Sequence, residues 1–236
     1  DATWHGYAQN VLKAANENII PLTKLMGKYF FPNDANGRKL PIYLATSPTE
    51  YQQTASAILS KPYTDKGSIG VTISQIGNAG CKASIVLHPI CFSVKPRDPY
   101  GYVKVLMHEM NHYIFLSSID FSKDISFYNW EIEGIADYCA KNYIQQWEKI
   151  NSSNRIEFIK EKCLLTNDFP EENISQYWAG ESFFHYLEYT YGDDFVKKFL
   201  QTAYTTKTEQ TFSELDINPE KEHSAWVEYL YNDSIQ

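Results

Sequence analysis

The chain has 236 residues, 43% of them hydrophobic and 15% aromatic, and a formal net charge of −8 at pH 7. That length and apolar content exclude a disordered chain and suffice for one large domain with a sizeable core. The acidic balance, with no cluster of five or more basic residues, argues against a nucleic-acid partner, and no apolar run approaches the ~18 residues needed for a membrane span.

The first half reads as α/β. Residues 3–31 place Trp4, Tyr7, Val11, Leu22, Leu25, Met26 and Tyr29 at helical spacing, with Pro21 expected to kink or split the segment. Asn33 to Gly37 is turn chemistry, and Leu40 to Ala45 reads as a buried strand. Ser47-Pro48-Thr49-Glu50 combines a capping box with proline at the first helical position, so a helix is expected to about Leu59. After a loop over Lys61 to Ser68, Ile69–Ile76 and Ala83–Leu87 read as strands around the turn Gly77-Asn78-Ala79-Gly80. Asp98-Pro99 then marks a helix start. Val103, Leu106, Met110, Tyr113 and Ile114 give residues 101–117 a helical period.

The second half is mainly helical, with segments expected near 126–149, 153–165, 173–191, 194–204 and 219–231, the last opened by Asn218-Pro219-Glu220. No repeat, low-complexity tract or Gly/Ser linker divides the chain. The expectation is a single catalytic domain over residues 1–236, with an α/β lobe to about residue 120 and a helical lobe over 121–236. A start at Asp1 instead of methionine suits a processed chain, so a secreted or periplasmic protein is expected, and a monomer.

Cys81, Cys91, Cys139 and Cys163 contain no Cys-x-x-Cys pair, which speaks against a structural zinc knuckle. An extended strand between Cys81 and Cys91 would hold them beyond the ~7 Å Cα limit for a disulfide. Cys139 with Cys163 is the better pairing, and buried free thiols are the alternative.

The chemistry concentrates in His108-Glu109-Met110-Asn111-His112. At ~100° per residue, positions i and i+4 of a helix return to one face, so both imidazoles can grip a single cation. Glu109 projects beside the pair, placed to accept a proton from the attacking water rather than to ligate. Catalytic zinc usually takes three protein ligands, so a third must come from elsewhere. Glu131 and Glu133 both lie in the segment that follows. Two residues apart on a helix, they point to roughly opposite sides, and only one can face the metal. Small residues at Gly134 and Ala136 would let their helix approach the histidine helix closely.

His108-Glu109-Met110-Asn111-His112 followed by Glu133-Gly134-Ile135-Ala136-Asp137-Tyr138 resembles the gluzincin metallopeptidases, especially the compact peptidase MA-like group, of which thermolysin is a distant relative. The likeness covers residues 40 to 200. It implies Zn2+ held by His108, His112 and Glu133, with Glu109 as catalytic base. Asp137 matches an acidic position one turn beyond the third ligand that can orient a ligating histidine. The implied fold is α+β and zincin-like: a small mixed β-sheet with helices in the N-terminal lobe, a mainly helical C-terminal lobe, and the zinc cleft between them. In that family the strand before the zinc helix lies at a sheet edge and holds the substrate backbone. Here it would be Ser84, Ile85, Val86 and Leu87, running up to His88, which is read as a strand-end residue and not a ligand.

An oxyanion donor is expected from the helical lobe. Tyr177 precedes Ser182-Phe183-Phe184 where the family often has a tyrosine, with His185, Tyr189 and Tyr191 as rivals. The expected function is zinc-dependent hydrolysis of a peptide or protein substrate. A catalytically inactive gluzincin-fold binding or adhesion module, or a zinc hydrolase of a non-peptide amide, are the alternatives.

Overall fold

The structure, a computed structural model, describes residues 2–26, 40–64, 67–77, 80–93, 101–119, 122–144, 150 and 152–233. The turn at Asn33 to Gly37 and the helix start at Asp98-Pro99 fall outside them. The described residues form an α+β arrangement of mostly helix with a three-stranded mixed sheet. No helix among them is long and apolar enough to cross a membrane. The chain divides into two compact units, Asp1–Ser118 with Cys139–Gln146, and Ile119–Tyr138 with Trp147–Gln236.

The first unit opens with helix α1 over Ala2–Met26, which runs as one element through Pro21, so the expected split does not occur. Strand β1 covers Ile42–Leu44 and helix α2 Pro48–Leu59. The α2 cap forms nearly as its sequence implies. The Glu50 N–H donates to the Ser47 hydroxyl at 3.1 Å, whereas the Glu50 carboxylate reaches back one residue further, to the Thr46 hydroxyl and N–H. Those two hydrogen bonds, the hydroxyl first, hold Glu50 below the usual carboxylate range.

Strands β2 (Gly70–Gly77) and β3 (Gly80–Leu87) pair antiparallel in a hairpin from Gly70↔Leu87 to Gly77↔Gly80. β1 adds to β3 in parallel, Ile42↔Ile85 to Leu44↔Leu87, and the sheet order is β1-β3-β2. Alternation gives the sheet two faces. Val71, Ile73 and Val86 pack with Ala45, Tyr51 and Ala55 under α2. The opposite face carries Gly70 and Thr72 and meets helix α3 (Tyr102–Ser118). α1 packs against α3 in turn. A ring cluster ties α1 to the start of α3, with Trp4, Tyr7 and Tyr102 around Phe92 at centroid distances of 5.5, 4.9 and 5.6 Å.

This topology overturns two expectations. Among the described residues β1 is an edge strand, with Tyr43 43% exposed, and not a buried one. β3 is the central strand, not an edge: the backbone of Ile85, Val86 and Leu87 is paired with β1 on one side and β2 on the other, and their side chains are wholly buried. Ser84 pairs with Ile73. Residues 84–87 therefore cannot accept a substrate strand, because the groups that would bind it are already bonded within the sheet. The hydrophobic run that marked β3 is the signature of a strand enclosed on both sides.

In the second unit, helix α4 (Asn129–Ile144) supplies its first turns, followed by α5 (Ser153–Lys162), α6 (Ser175–Tyr191), α7 (Asp193–Ala203), α8 (Thr208–Glu214) and α9 (Pro219–Asp233). α4 starts at Asn129 rather than 126, because the segment before it binds elsewhere: the Ser126 carbonyl accepts from the Thr208 N–H at 3.3 Å. α8 has no counterpart in the expected helices. The Asn218 side chain caps α9, its Oδ1 accepting from the Lys221 N–H at 2.9 Å. The core is a stack of aromatics. Trp130 lies parallel to Phe169 at 5.0 Å and edge-on to Phe183 at 5.5 Å, and Phe183 meets Trp226 at 5.4 Å. Rings buried this way contribute both area and edge-to-face attraction.

Cys91, Cys139 and Cys163 are buried and in no disulfide, so the Cys139–Cys163 bridge is not formed. Burial pushes the Cys91 and Cys163 thiols up to about 12, which keeps them in the unreactive thiol form. The Cys81 side chain lies outside the described residues.

Candidate metal centre

α3 buries Val105 through Asn111 without interruption, a helix enclosed on nearly every side. Within that run the polar side chains must find partners or a ligand. His108 and His112, one turn apart, point their Nε2 atoms at the same spot, 2.9 Å from each other, with ring planes at 86°. Glu133 joins them from α4: one ligand atom from each of the three residues lies within 4.8 Å of the others, a group that can hold a metal ion. Two nitrogens ~2.0–2.1 Å from one tetrahedral ion are about 3.4 Å apart, so the histidine pair needs to open only slightly to bind. Two imidazoles and a carboxylate form a donor set suited to zinc.

The two glutamates of α4 have different surroundings. Glu133 is half-buried beside the histidines, while Glu131, 2% exposed, turns to the other side of α4. There its Oε2 accepts from the Tyr128 N–H at 3.0 Å and from the Thr208 hydroxyl, tying the start of α4 to α8. Burial pushes the Glu131 carboxyl up to about 7, against the lowering effect of those two hydrogen bonds. The folded state thus keeps a proton up to about pH 7 that the unfolded chain releases near pH 4.5. The associated stability is complete below pH 4.5 and is lost as pH rises through 7, to the extent of about 3 kcal/mol. Urea midpoints of metal-free protein at pH 5 and 8 are expected to fall with pH in the wild type and to fall much less in Glu131→Gln. Equal losses in the two proteins would show that Glu131 is not the responsible group.

Glu109, 5% exposed, is not one of the three grouped residues, and its carboxylate is held from the sheet. The Thr72 hydroxyl on β2 sits 2.7 Å from Glu109 Oε2 and 2.8 Å from the Glu109 carbonyl oxygen. Gly70, two residues earlier on the same face, leaves room for the carboxylate: a Cβ there would stand 2.8 Å from Oε1 and 2.5 Å from Val105 Cγ1. Sequence reasoning missed both residues. The available signal was the alternation Gly70-Val71-Thr72-Ile73-Ser74, whose small and polar members suggest a solvent face but here meet α3.

Of the two small residues Gly134 and Ala136, the first has its nearest neighbour in α6. Gly134 meets Gly180 of α6, where a Cβ at Gly134 would lie 2.5 Å from the Gly180 carbonyl carbon. It therefore serves α4–α6 packing. That crossing also bears on Tyr177. The half-buried tyrosine lies one turn before Gly180 on α6, and Glu133 is next to Gly134 on α4. Its rivals are engaged elsewhere. Tyr191 donates to Glu222 at 2.9 Å; Tyr189 is 77% exposed against the Tyr229 ring; His185 lies 3.9 Å from Glu181 and 3.8 Å from Glu188. Asp137 is buried one turn beyond Glu133. Asn111 is fully buried, its Nδ2 donating to the Met107 carbonyl at 2.8 Å. His88 follows β3 and caps the 3-10 turn Pro89–Phe92, its Nδ1 accepting from the Ile90 N–H at 3.2 Å.

No family model, curated protein or solved structure matches this chain.

Proposed function

We propose that the chain is a zinc metalloendopeptidase of the gluzincin, zincin-like kind, with His108, His112 and Glu133 as ligands and Glu109 as general base. The observation that carries this reading is the convergence of those three ligand atoms, with the carboxylate of the residue that follows His108 held by the Thr72 hydroxyl. When bound, zinc supplies Lewis acidity that polarises a carbonyl and makes water acidic enough to attack near neutral pH.

The chain's own residues do the rest. Glu109 accepts the proton of the attacking water and passes it to the amine nitrogen as the C–N bond breaks. Tyr177 donates a hydrogen bond to the oxyanion that forms at the carbonyl. Asp137 orients a ligating imidazole, which fixes its tautomer. The extended substrate lies along β2, the edge strand beside α3, which among the described residues pairs only with β3. Its backbone groups offer main-chain hydrogen bonds without demanding a side-chain sequence.

Incubating the protein with zinc, stripping unbound metal and digesting a diverse peptide pool tests this. About one zinc per chain and new peptide termini, both abolished by Glu133→Ala, are expected. Zinc retained without cleavage of any peptide would favour a binding module, and cleavage confined to small amides a non-peptide hydrolase. Loss of zinc stoichiometry in no ligand variant would overturn the site.

A further inference from the structure

We propose that Thr72 is a positioning residue for the reaction, holding the carboxylate of Glu109 in the orientation from which it moves the proton; this rests on the reading of Glu109 as the base.

The geometry is specific. A hydroxyl has one proton to donate, and both neighbours of Thr72 Oγ1 are acceptors: Glu109 Oε2 at 2.7 Å and the Glu109 carbonyl at 2.8 Å. The ionised carboxylate is the stronger acceptor, so the proton belongs chiefly to Oε2. The carbonyl contact keeps the hydroxyl centred over the same residue, so one side chain registers both ends of Glu109. Thr72 acts from a strand 37 residues away in sequence, on a backbone fixed by the β2–β3 ladder at Thr72↔Ile85.

A glutamate has rotatable bonds enough to carry its carboxylate ångströms from any one position, and a proton carrier misplaced by ~1 Å can lose 10²-fold in rate. Gly70 and Thr72 remove that freedom together. Gly70 lets the carboxylate lie against the strand, where a side chain would meet Oε1, and Thr72 pins Oε2. With Oε2 engaged, Oε1 is the oxygen that takes the proton from water and delivers it to the leaving amine. β2 thereby has two roles: its outer edge faces the substrate and its α3 face sets the base.

The test compares Thr72→Val, which keeps the branched shape and removes the donor, with Thr72→Ser, which keeps the donor and removes the methyl. kcat and KM are measured on a fluorogenic peptide built around a bond the wild type cleaves in the peptide pool, together with zinc content and a crystal structure of each variant. Thr72→Val is expected to lower kcat roughly 10–100-fold with KM and zinc content unchanged and the Glu109 carboxylate displaced, and Thr72→Ser to restore most of the rate. If Thr72→Val does not fold, Thr72→Ala removes the donor without the bulk. Wild-type kcat in the donor-free variant, or equal impairment in Thr72→Ser, overturns the role of Thr72 while leaving the peptidase intact. A wild type that binds zinc and cleaves nothing removes both.

Discussion

Glu109→Gln is expected to keep about one zinc per chain and to lose ~10²–10⁴ in turnover, the worth of general acid–base catalysis. Glutamine matches glutamate in length and can still accept from the Thr72 hydroxyl, so the sheet contact at 2.7 Å survives the change. What it cannot do is gain and release a proton. The effect should lie in kcat rather than KM, since the side chain acts on the reacting atoms and not on remote binding. The measurement is steady-state cleavage beside metal analysis on the same sample. A variant that turns over at the wild-type rate would refute Glu109 as base; one that loses zinc would show instead that the residue serves the ligand geometry.

Gly180→Ala is expected to destabilise the protein by about 1–3 kcal/mol, although alanine is the better helix former by ~1 kcal/mol. The new Cβ would stand 2.4 Å from the Trp130 carbonyl oxygen and 2.9 Å from the Gly134 Cα, both backbone atoms that cannot swing aside. α4 and α6 would have to separate, loosening the Trp130 stack on Phe169 and Phe183. Gly6 of α1 is the control. A Cβ there meets nothing within 4 Å, so Gly6→Ala should stabilise by up to ~1 kcal/mol through propensity alone. Urea unfolding of the two variants decides it: shifts of the same sign would mean that the α4–α6 crossing is looser than the distances imply.

Local spacing carried much of the fold. The helices over α2, α3, α6, α7 and α9 were legible from period and caps, because a cap such as Ser47 or Asn218 and its target amide lie three residues apart. The β2–β3 hairpin was legible from its turn glycines, and the register that follows, Gly77↔Gly80, differs from the expected strand ends by only a few residues. α8 was not, for its seven residues are held largely by Thr208 reaching Ser126 and Glu131, about 80 positions away. Propensity in so short a segment is weak beside such contacts.

The same division runs through the site. His108 and His112 were brought together by the helix repeat itself, and the opposition of Glu131 and Glu133 followed from the same geometry, since two residues on a helix differ by roughly 200°. The sequence by itself thus determined that a histidine pair would face one point with an acidic residue beside it. Only the tertiary structure decided that Glu133 rather than Glu131 joins the pair, that Ser84–Leu87 lies inside the sheet, that Gly134 answers to Gly180, and that Thr72 holds Glu109. Each of those depends on which strand or helix meets which, and such partnerships are chosen by burial and chain closure over tens of residues, where no local period leaves a mark.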